Sequence, residues 1–185
     1  TLSCSSAASD VYKRQRQYSP KLSRMIRGGE PPLSASLYIV ATPIGHLDDM
    51  SLRAIDVLRS VNLIAAEDTR HSSKLLRHFD IRTPLISYHD HSKTSDLEGM
   101  LKRLRAGEAI ALISDAGTPL VSDPGYKLVV ACHREQIPVV PIPGPSATIT
   151  ALSAAGLPTD HFYFEGFLPP KPGQRVNRLQ VLTAM

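Results

Sequence analysis

The chain has 185 residues, 42% of them hydrophobic and 21% charged, which suits a globular protein with one full domain and the start of another. No apolar run approaches the ~20 residues of a membrane span, and Cys4 and Cys132 lie far apart without metal-ligand spacing, so a membrane protein is excluded and a reduced, cytoplasmic setting is expected. The formal charge of +4 belongs to residues 1–32, where six basic residues meet two acidic ones, while the remainder balances; bulk charge therefore says nothing about a nucleic-acid partner of the folded part.

Residues 1–36 are Ser- and Arg-rich without apolar periodicity and read as a flexible tail. Met25 is the expected start and residues 1–24 are expected to be non-native upstream sequence, with an organelle transit peptide as the alternative. From Leu37 the pattern becomes regular. Strands are expected at Leu37–Ala41, Val61–Ala66, Leu85–Tyr88, Ala109–Ile113 and Ile137–Ile142. Helices are expected at Ser51–Arg59, capped by Asp48 or Ser51, then at Ser72–Phe79, Thr94–Arg105 with Gly107 ending it, Tyr126–Gln136 and Ala147–Ala155. Five strand–helix units in series predict an α/β fold over residues 37–158, a parallel sheet with helices on both faces. Beyond it, the aromatic-rich His161–Phe167 reads as a strand, and Val176, Leu179 and Leu182 share a helical face. Residues 159–185 are thus expected to open a second α/β domain.

The loops carry the chemistry. Ser114–Gly125 holds two Gly, two Pro, two Asp and two Ser, and exceeds the usual 2–6 residues of a strand-to-helix link. Loops at the carboxyl ends of parallel strands line the ligand crevice, and small residues let the backbone approach a ligand closely. Thr42–His46, Glu67–Arg70, His89–His91, Ser114–Gly125 and Pro143–Ser146 should therefore share one rim. The Gly/Pro loops offer backbone groups and the other two offer titratable side chains, a division that suits an enzyme with a cofactor on one side and substrate on the other. A local ion pair that merely stabilises a loop stands level with a functional role for Glu67–Arg70. Other readings lack their motifs: no G-x-G-x-x-G follows the first strand, and no Walker-type G-x-x-x-x-G-K occurs. Gly144-Pro145-Ser146-Ala147-Thr148 lacks the closing Gly of a nucleophile elbow, and His89 with His91 falls two ligands short of a zinc site.

Ala41-Thr42-Pro43-Ile44-Gly45, Ala66-Glu67-Asp68-Thr69-Arg70-His71 and Ser114-Asp115-Ala116-Gly117-Thr118-Pro119 through Ser122-Asp123-Pro124-Gly125, joined by Pro143–Ser146 and Phe164–Pro169, form a specific set in a specific order. This set resembles the tetrapyrrole methylase superfamily, enzymes of two α/β domains that use S-adenosylmethionine. By the same resemblance, His46 stands where the family usually shows Asn, and most of the family's second domain is expected to lie beyond these residues. Within the superfamily the residues are most similar to the branch that methylates the ribose 2′-hydroxyl of a decoding-centre cytidine. The resemblance thus implies 16S rRNA of the small ribosomal subunit as partner, and a homodimer for the full-length protein. A precorrin-type or other small-molecule methyltransferase is the alternative, and a non-catalytic RNA- or cofactor-binding module the alternative of another class. By the same resemblance, Pro43, Gly45, Asp115, Ala116, Gly117, Thr118, Pro119, Pro143, Gly144, Pro145 and Ser146 would hold the cofactor, with its carboxylate on the amides at the Pro145-Ser146 helix start. Glu67, Asp68 and His89 would serve proton removal, Asp68 or His89 as the base, and Arg70 would contact phosphate or orient a carboxylate. No metal is implied. Replacing Gly117 by Val is expected to weaken cofactor binding and leave the fold intact.

Overall fold

The computed structural model describes residues 33–89 and 94–184, and Ser34–Met185 forms one compact unit. Short apolar runs become the sheet: β1 (Leu37–Val40), β2 (Leu63–Ala66), β3 (Leu85–Ser87), β4 (Ile110–Ile113) and β5 (Val139–Ile142), paired in parallel in the order β3-β2-β4-β1-β5. Every residue of β1, β2 and β4 is buried, because these three inner strands are covered on both faces and need apolar side chains of either parity. The edge strands β3 and β5 are more open.

The connecting helices are α1 (Leu52–Ser60), α2 (Thr69–His78), α3 (Thr94–Arg105), α4 (Tyr126–Arg134) and α5 (Ala147–Ala154). Leu37, Ile39, Leu63, Ala65, Ile110 and Leu112 cluster with Met100, Leu101 and Leu104 of α3 and Leu128 and Cys132 of α4. Side chains of the other parity, such as Val40, Ile64 and Ile113, are equally buried. They face α1 and α2, whose Ala54, Ile55, Leu58 and Leu76 supply the second core layer. This split follows from right-handed crossovers, since the chain moves outward through β2 to β3 and then returns through β4 to β5.

Most expected elements form, with their ends adjusted by hydrogen bonds that periodicity does not see. Ser51 rather than Asp48 caps α1, its Oγ accepting the Ala54 N–H at 3.1 Å. Gly107, at φ +93°, ends α3 as expected, its N–H donating to the Leu104 carbonyl. The larger correction is α2, expected from Ser72 but beginning at Thr69. Asp68 caps it by accepting the Arg70 N–H at 2.8 Å, so a carboxylate read as a loop group starts a helix.

The segment His161–Phe167, expected as a strand, is irregular and pairs with no strand among the described residues. A strand persists only where its N–H and C=O groups find a ladder partner. Glu165 instead binds Arg178 of α6 (Pro172–Leu182), with Nη2–Oε2 at 2.7 Å, and Pro172 occupies the first turn of that helix, where its missing N–H costs nothing. Asp90 and His91 lie outside the described residues.

Cys132 sits fully buried between α4 and the sheet, and burial pushes its thiol up to about 11, with the Glu135 carboxylate adding to the effect. The thiolate is the reactive form. Cys132 should therefore resist alkylation at pH 8 in the native protein and react only after unfolding. Peptide mapping after iodoacetamide treatment, with and without urea, checks this; labelling of Cys132 in native buffer would contradict the packing described.

Candidate functional site

The carboxyl ends of β1, β4 and β5 carry three loops that are fastened to one another. Thr42, just after β1, and Gly117, after β4, exchange both backbone hydrogen bonds, N–H to O=C at 2.9 and 3.0 Å. The Thr42 hydroxyl donates to the Ser114 carbonyl at 3.0 Å and the Ser114 hydroxyl to the Gly117 carbonyl at 3.3 Å. The Thr118 hydroxyl then reaches the Pro145 carbonyl, after β5, at 3.1 Å. Thr42, Ser114 and Gly117 are buried, so these bonds are shielded and each is worth about 1 kcal/mol net. The Ser114–Gly125 loop also holds Leu120 at φ +72° and Ser122 at φ +63°, conformations that persist only when the surroundings enforce them.

Two clefts open beside this staple. The first, of about 530 Å³, is floored by Pro43, Gly45, Asp115 and Ala116 and walled by Ile44, Leu47 and the His71, Lys74, Leu75 and His78 face of α2. The second, of about 430 Å³, lies between Ile44, Asp49, Gly144, Pro145, Ser146 and the first turns of α5. Both fall within the roughly 300–1,000 Å³ of small-molecule sites, and Ile44 borders both. Ser146 caps α5 without a side-chain hydrogen bond, so its hydroxyl leaves the first-turn amides of α5 uncapped. His46 supplies a side-chain acceptor: its Nδ1 takes the Asp48 N–H at 3.3 Å.

The expected cofactor residues thus divide. Pro43, Gly45, Asp115, Ala116, Gly144, Pro145 and Ser146 line the clefts. Gly117, Thr118 and Pro119 do not; Gly117 and Pro119 are buried and Thr118 is spent on Pro145. Pro143 is exposed and lines neither cleft. Gly144 is required sterically, because a Cβ there would lie 2.9 Å from the Ala41 Cβ. Gly117 bears on the expectation that Val at this position leaves the fold intact: its φ is +83°, where a side chain is strained, and a Cβ would meet Ile44 Cγ2 at 3.4 Å.

Glu67, Asp68, Arg70 and His89 gather at the ends of β2 and β3 and line neither of the two clefts. The Ser87 hydroxyl bonds the Glu67 carbonyl at 3.4 Å and the His89 Nε2 at 2.7 Å. Asp68 is committed to Arg70, whose Nη2 lies 3.0 Å from Oδ2. The hydrogen bond from the Arg70 side chain, then that from its backbone N–H, holds the Asp68 carboxyl down to about 2. The Asp68 N–H donates to Asp115 Oδ1 at 3.2 Å, tying this cluster to the first cleft. Sequence reasoning missed His71, Lys74, Leu75 and His78. Their i, i+3, i+4, i+7 spacing marks one helical face, but a helix started at Ser72 excludes His71 and hides the stripe.

With this geometry established, the family described as "Tetrapyrrole (Corrin/Porphyrin) Methylases" matches residues 36–185. The chain belongs to the tetrapyrrole methylase family. It is 58% identical over 146 residues to a protein of Synechocystis sp. named "Ribosomal RNA small subunit methyltransferase I", covering 79% of this chain and 52% of that protein. It is 56% identical over 148 residues to the protein of that name from Escherichia coli O157:H7, covering 80% and 52%. The chain therefore spans about half the length of the curated relatives it matches. Among solved structures it shares the fold of cobalt precorrin-4 methyltransferase, with TM-score 0.53 and 20% identity over 65% of this chain and 50% of that one. The uroporphyrin-III-C-methyltransferase of Thermus thermophilus gives TM-score 0.51 at 24% identity, covering 69% and 54%. The tetrapyrrole methylase donor is S-adenosylmethionine, and the site fits it: small-residue loops that offer backbone groups, an α5 start whose Ser146 side chain makes no cap hydrogen bond and leaves room for a carboxylate, and clefts of suitable volume.

Two outcomes follow from the geometry. Gly117→Val should destabilise the family fold by about 1–3 kcal/mol, because a β-branched residue is strained at positive φ; thermal melts alongside Gly117→Ala measure it, and an unchanged midpoint for Val would refute the bridging role. Asp68 has its folded-state carboxyl lowered from 3.8 to about 2, so its stabilisation is fully present above 3.8 and lost as the pH falls through about 2. The gap in urea midpoint between the parent and Asp68→Asn should hold constant above pH 5 and narrow only below 3.8.

Proposed function

We propose that this chain carries part of a methyltransferase acting on small-subunit ribosomal RNA, transferring a methyl group to the 2′-oxygen of a cytidine ribose in the decoding centre. The observation that carries the reading is the identity of 56–58% to proteins named ribosomal RNA small subunit methyltransferase I over about four fifths of the chain. We further propose residues 159–185 as the opening of a second domain, and a cytoplasmic homodimer as the full-length form. No helix among the described residues is long and apolar enough to cross a membrane.

When bound, S-adenosylmethionine supplies a methyl carbon made electrophilic by its sulfonium. Pro43, Gly45, Asp115, Ala116 and Gly144–Ser146 would hold it, mostly through backbone groups, with the α5 amides receiving its carboxylate. Gly117, Thr118, Pro119 and Pro143 would act behind this surface by keeping the loops in place. The remaining tasks are alignment of the acceptor oxygen, at roughly 3–3.5 Å from the reacting carbon, and removal of its proton. Asp68, held ionised at about 2 by Arg70, is too weak a base near neutral pH. We assign proton removal to His89, whose Nε2 lies 2.7 Å from the Ser87 hydroxyl. Asp68 would instead position Arg70, and Glu67 would shape the same end of β2.

The experiment is labelled methyl transfer to 30S subunits, with tetrapyrroles as the competing acceptor and calorimetry with S-adenosylmethionine alongside. Transfer to 30S subunits supports the reading; transfer to tetrapyrroles alone, or binding without transfer, replaces it with a small-molecule enzyme or a non-catalytic module. In an active protein, His89→Ala should lower the single-turnover rate by about 10²–10⁴-fold with cofactor affinity retained. Asp68→Asn should lower the rate less, and a smaller effect at His89 than at Asp68 would exchange their roles.

A further inference from the structure

The exposed face of α2 is the part of the first cleft that cofactor binding does not account for. Five of its ten residues are Arg70, His71, Lys74, Arg77 and His78, and none is acidic. The acidic and basic residues beyond residue 32 cancel as a whole, with this helix included, so the helix is a local concentration of positive charge. His71, Lys74 and His78 line the cleft, while Arg70 and Arg77 are exposed on the same helix. Lys74 has no carboxylate within ion-pair distance among the described residues. The cleft's one carboxylate, Asp115, is partly satisfied by the Asp68 N–H on its far side.

The charge sorts the possible occupants. S-adenosylmethionine carries a sulfonium and an ammonium against one carboxylate, so its contacts fall on the loop floor with Asp115 and not on the lysine wall. A phosphodiester strand carries one negative charge per residue and is attracted. Below the charges, Ile44, Leu47 and Leu75 give an apolar surface against which a base can rest, and imidazoles can stack on it. We propose that the His71–Lys74–His78 face of α2 is a phosphate-binding wall that seats one nucleotide of a substrate RNA strand, with Lys74 on its phosphate. The inference rests on the ribosomal RNA reading above and assigns the surface that reading lacks. Lys74 is thereby a positioning residue, which places the ribose beside the Pro43–Gly45 loop.

The test uses the chain with Lys74→Ala and, as a charge-matched control on α4, Arg134→Ala. Both side chains are exposed. The probe is a 16S rRNA fragment containing the decoding-centre helix, titrated from 50 to 200 mM salt by filter binding, with S-adenosylmethionine affinity measured in parallel. Lys74→Ala should weaken RNA binding several-fold at low salt and make the log–log salt dependence shallower by about 0.7, the value for one single-strand phosphate, with cofactor affinity unchanged. Arg134→Ala should leave the slope at the parent value. A Lys74→Ala slope equal to the parent's would overturn the wall, as would a loss of cofactor affinity with RNA binding intact. If the parent itself does not bind the RNA, the ribosomal reading fails and the wall with it, an outcome separate from either of those.

Discussion

The reciprocal backbone bond between Thr42 and Gly117 is the constraint on which the site depends. Loops over the ends of a parallel sheet are ordinarily its most mobile parts. Here Thr42, two residues past β1, and Gly117, four residues past β4, are joined as an isolated antiparallel bridge. The Thr42 and Thr118 hydroxyls extend that bridge to Ser114 and Pro145. Loops that follow three different strands thereby act as one surface. Removing water from Thr42, Ser114 and Gly117 makes the bonds costly to break, because a buried polar group left unmade loses its full solvation. Gly117 is needed for its positive φ and for the space that Ile44 occupies. In turn Ile44 is held where it separates the two clefts.

Electrostatics divides the rim in a complementary way. The β1, β4 and β5 loops present mainly backbone groups and small residues, with Asp115 engaged by the Asp68 N–H. Across the first cleft, α2 presents cations. Its start is set by Asp68, whose carboxylate serves at once as helix cap and as partner of Arg70. A negative cap at a helix N-terminus also favours the helix dipole. One residue therefore decides where α2 begins, and hence which of its residues look into the cleft. A cationic donor and an anionic strand can share such a rim because each meets the side of opposite or neutral character.

The strand–helix alternation was legible because each buried strand must be apolar on both faces and each link must turn with Gly, Pro, Asp or Ser. Thus Leu37, Leu63 and Ile110 mark inner strands, and Gly107 marks a helix end, without reference to anything distant. The rim followed from that alternation, since parallel strands send all their carboxyl ends to one side. The tetrapyrrole methylase motifs were legible in the same loops. Three things depended on contacts that the local pattern does not show. Gly117 reads as an open cradle until Thr42, 75 residues earlier, is seen to pair with it. Asp68 reads equally as half of a local ion pair and as a functional carboxylate until Arg70 and the α2 amides are seen to occupy it. His161–Phe167 has a strand's composition, yet forms none, because a strand is a property of two segments and composition describes one. The stripe from His71 to His78 lay in between: its spacing is local, but it becomes a wall only when the sheet order sets α2 opposite the β1 and β4 loops. Sequence determined the elements, their order and the family, all of which rest on local polarity and backbone chemistry. Tertiary structure decided which polar groups are spent on holding the loops and which remain to meet a ligand, since hydrogen-bond satisfaction depends on neighbours that the chain order does not reveal.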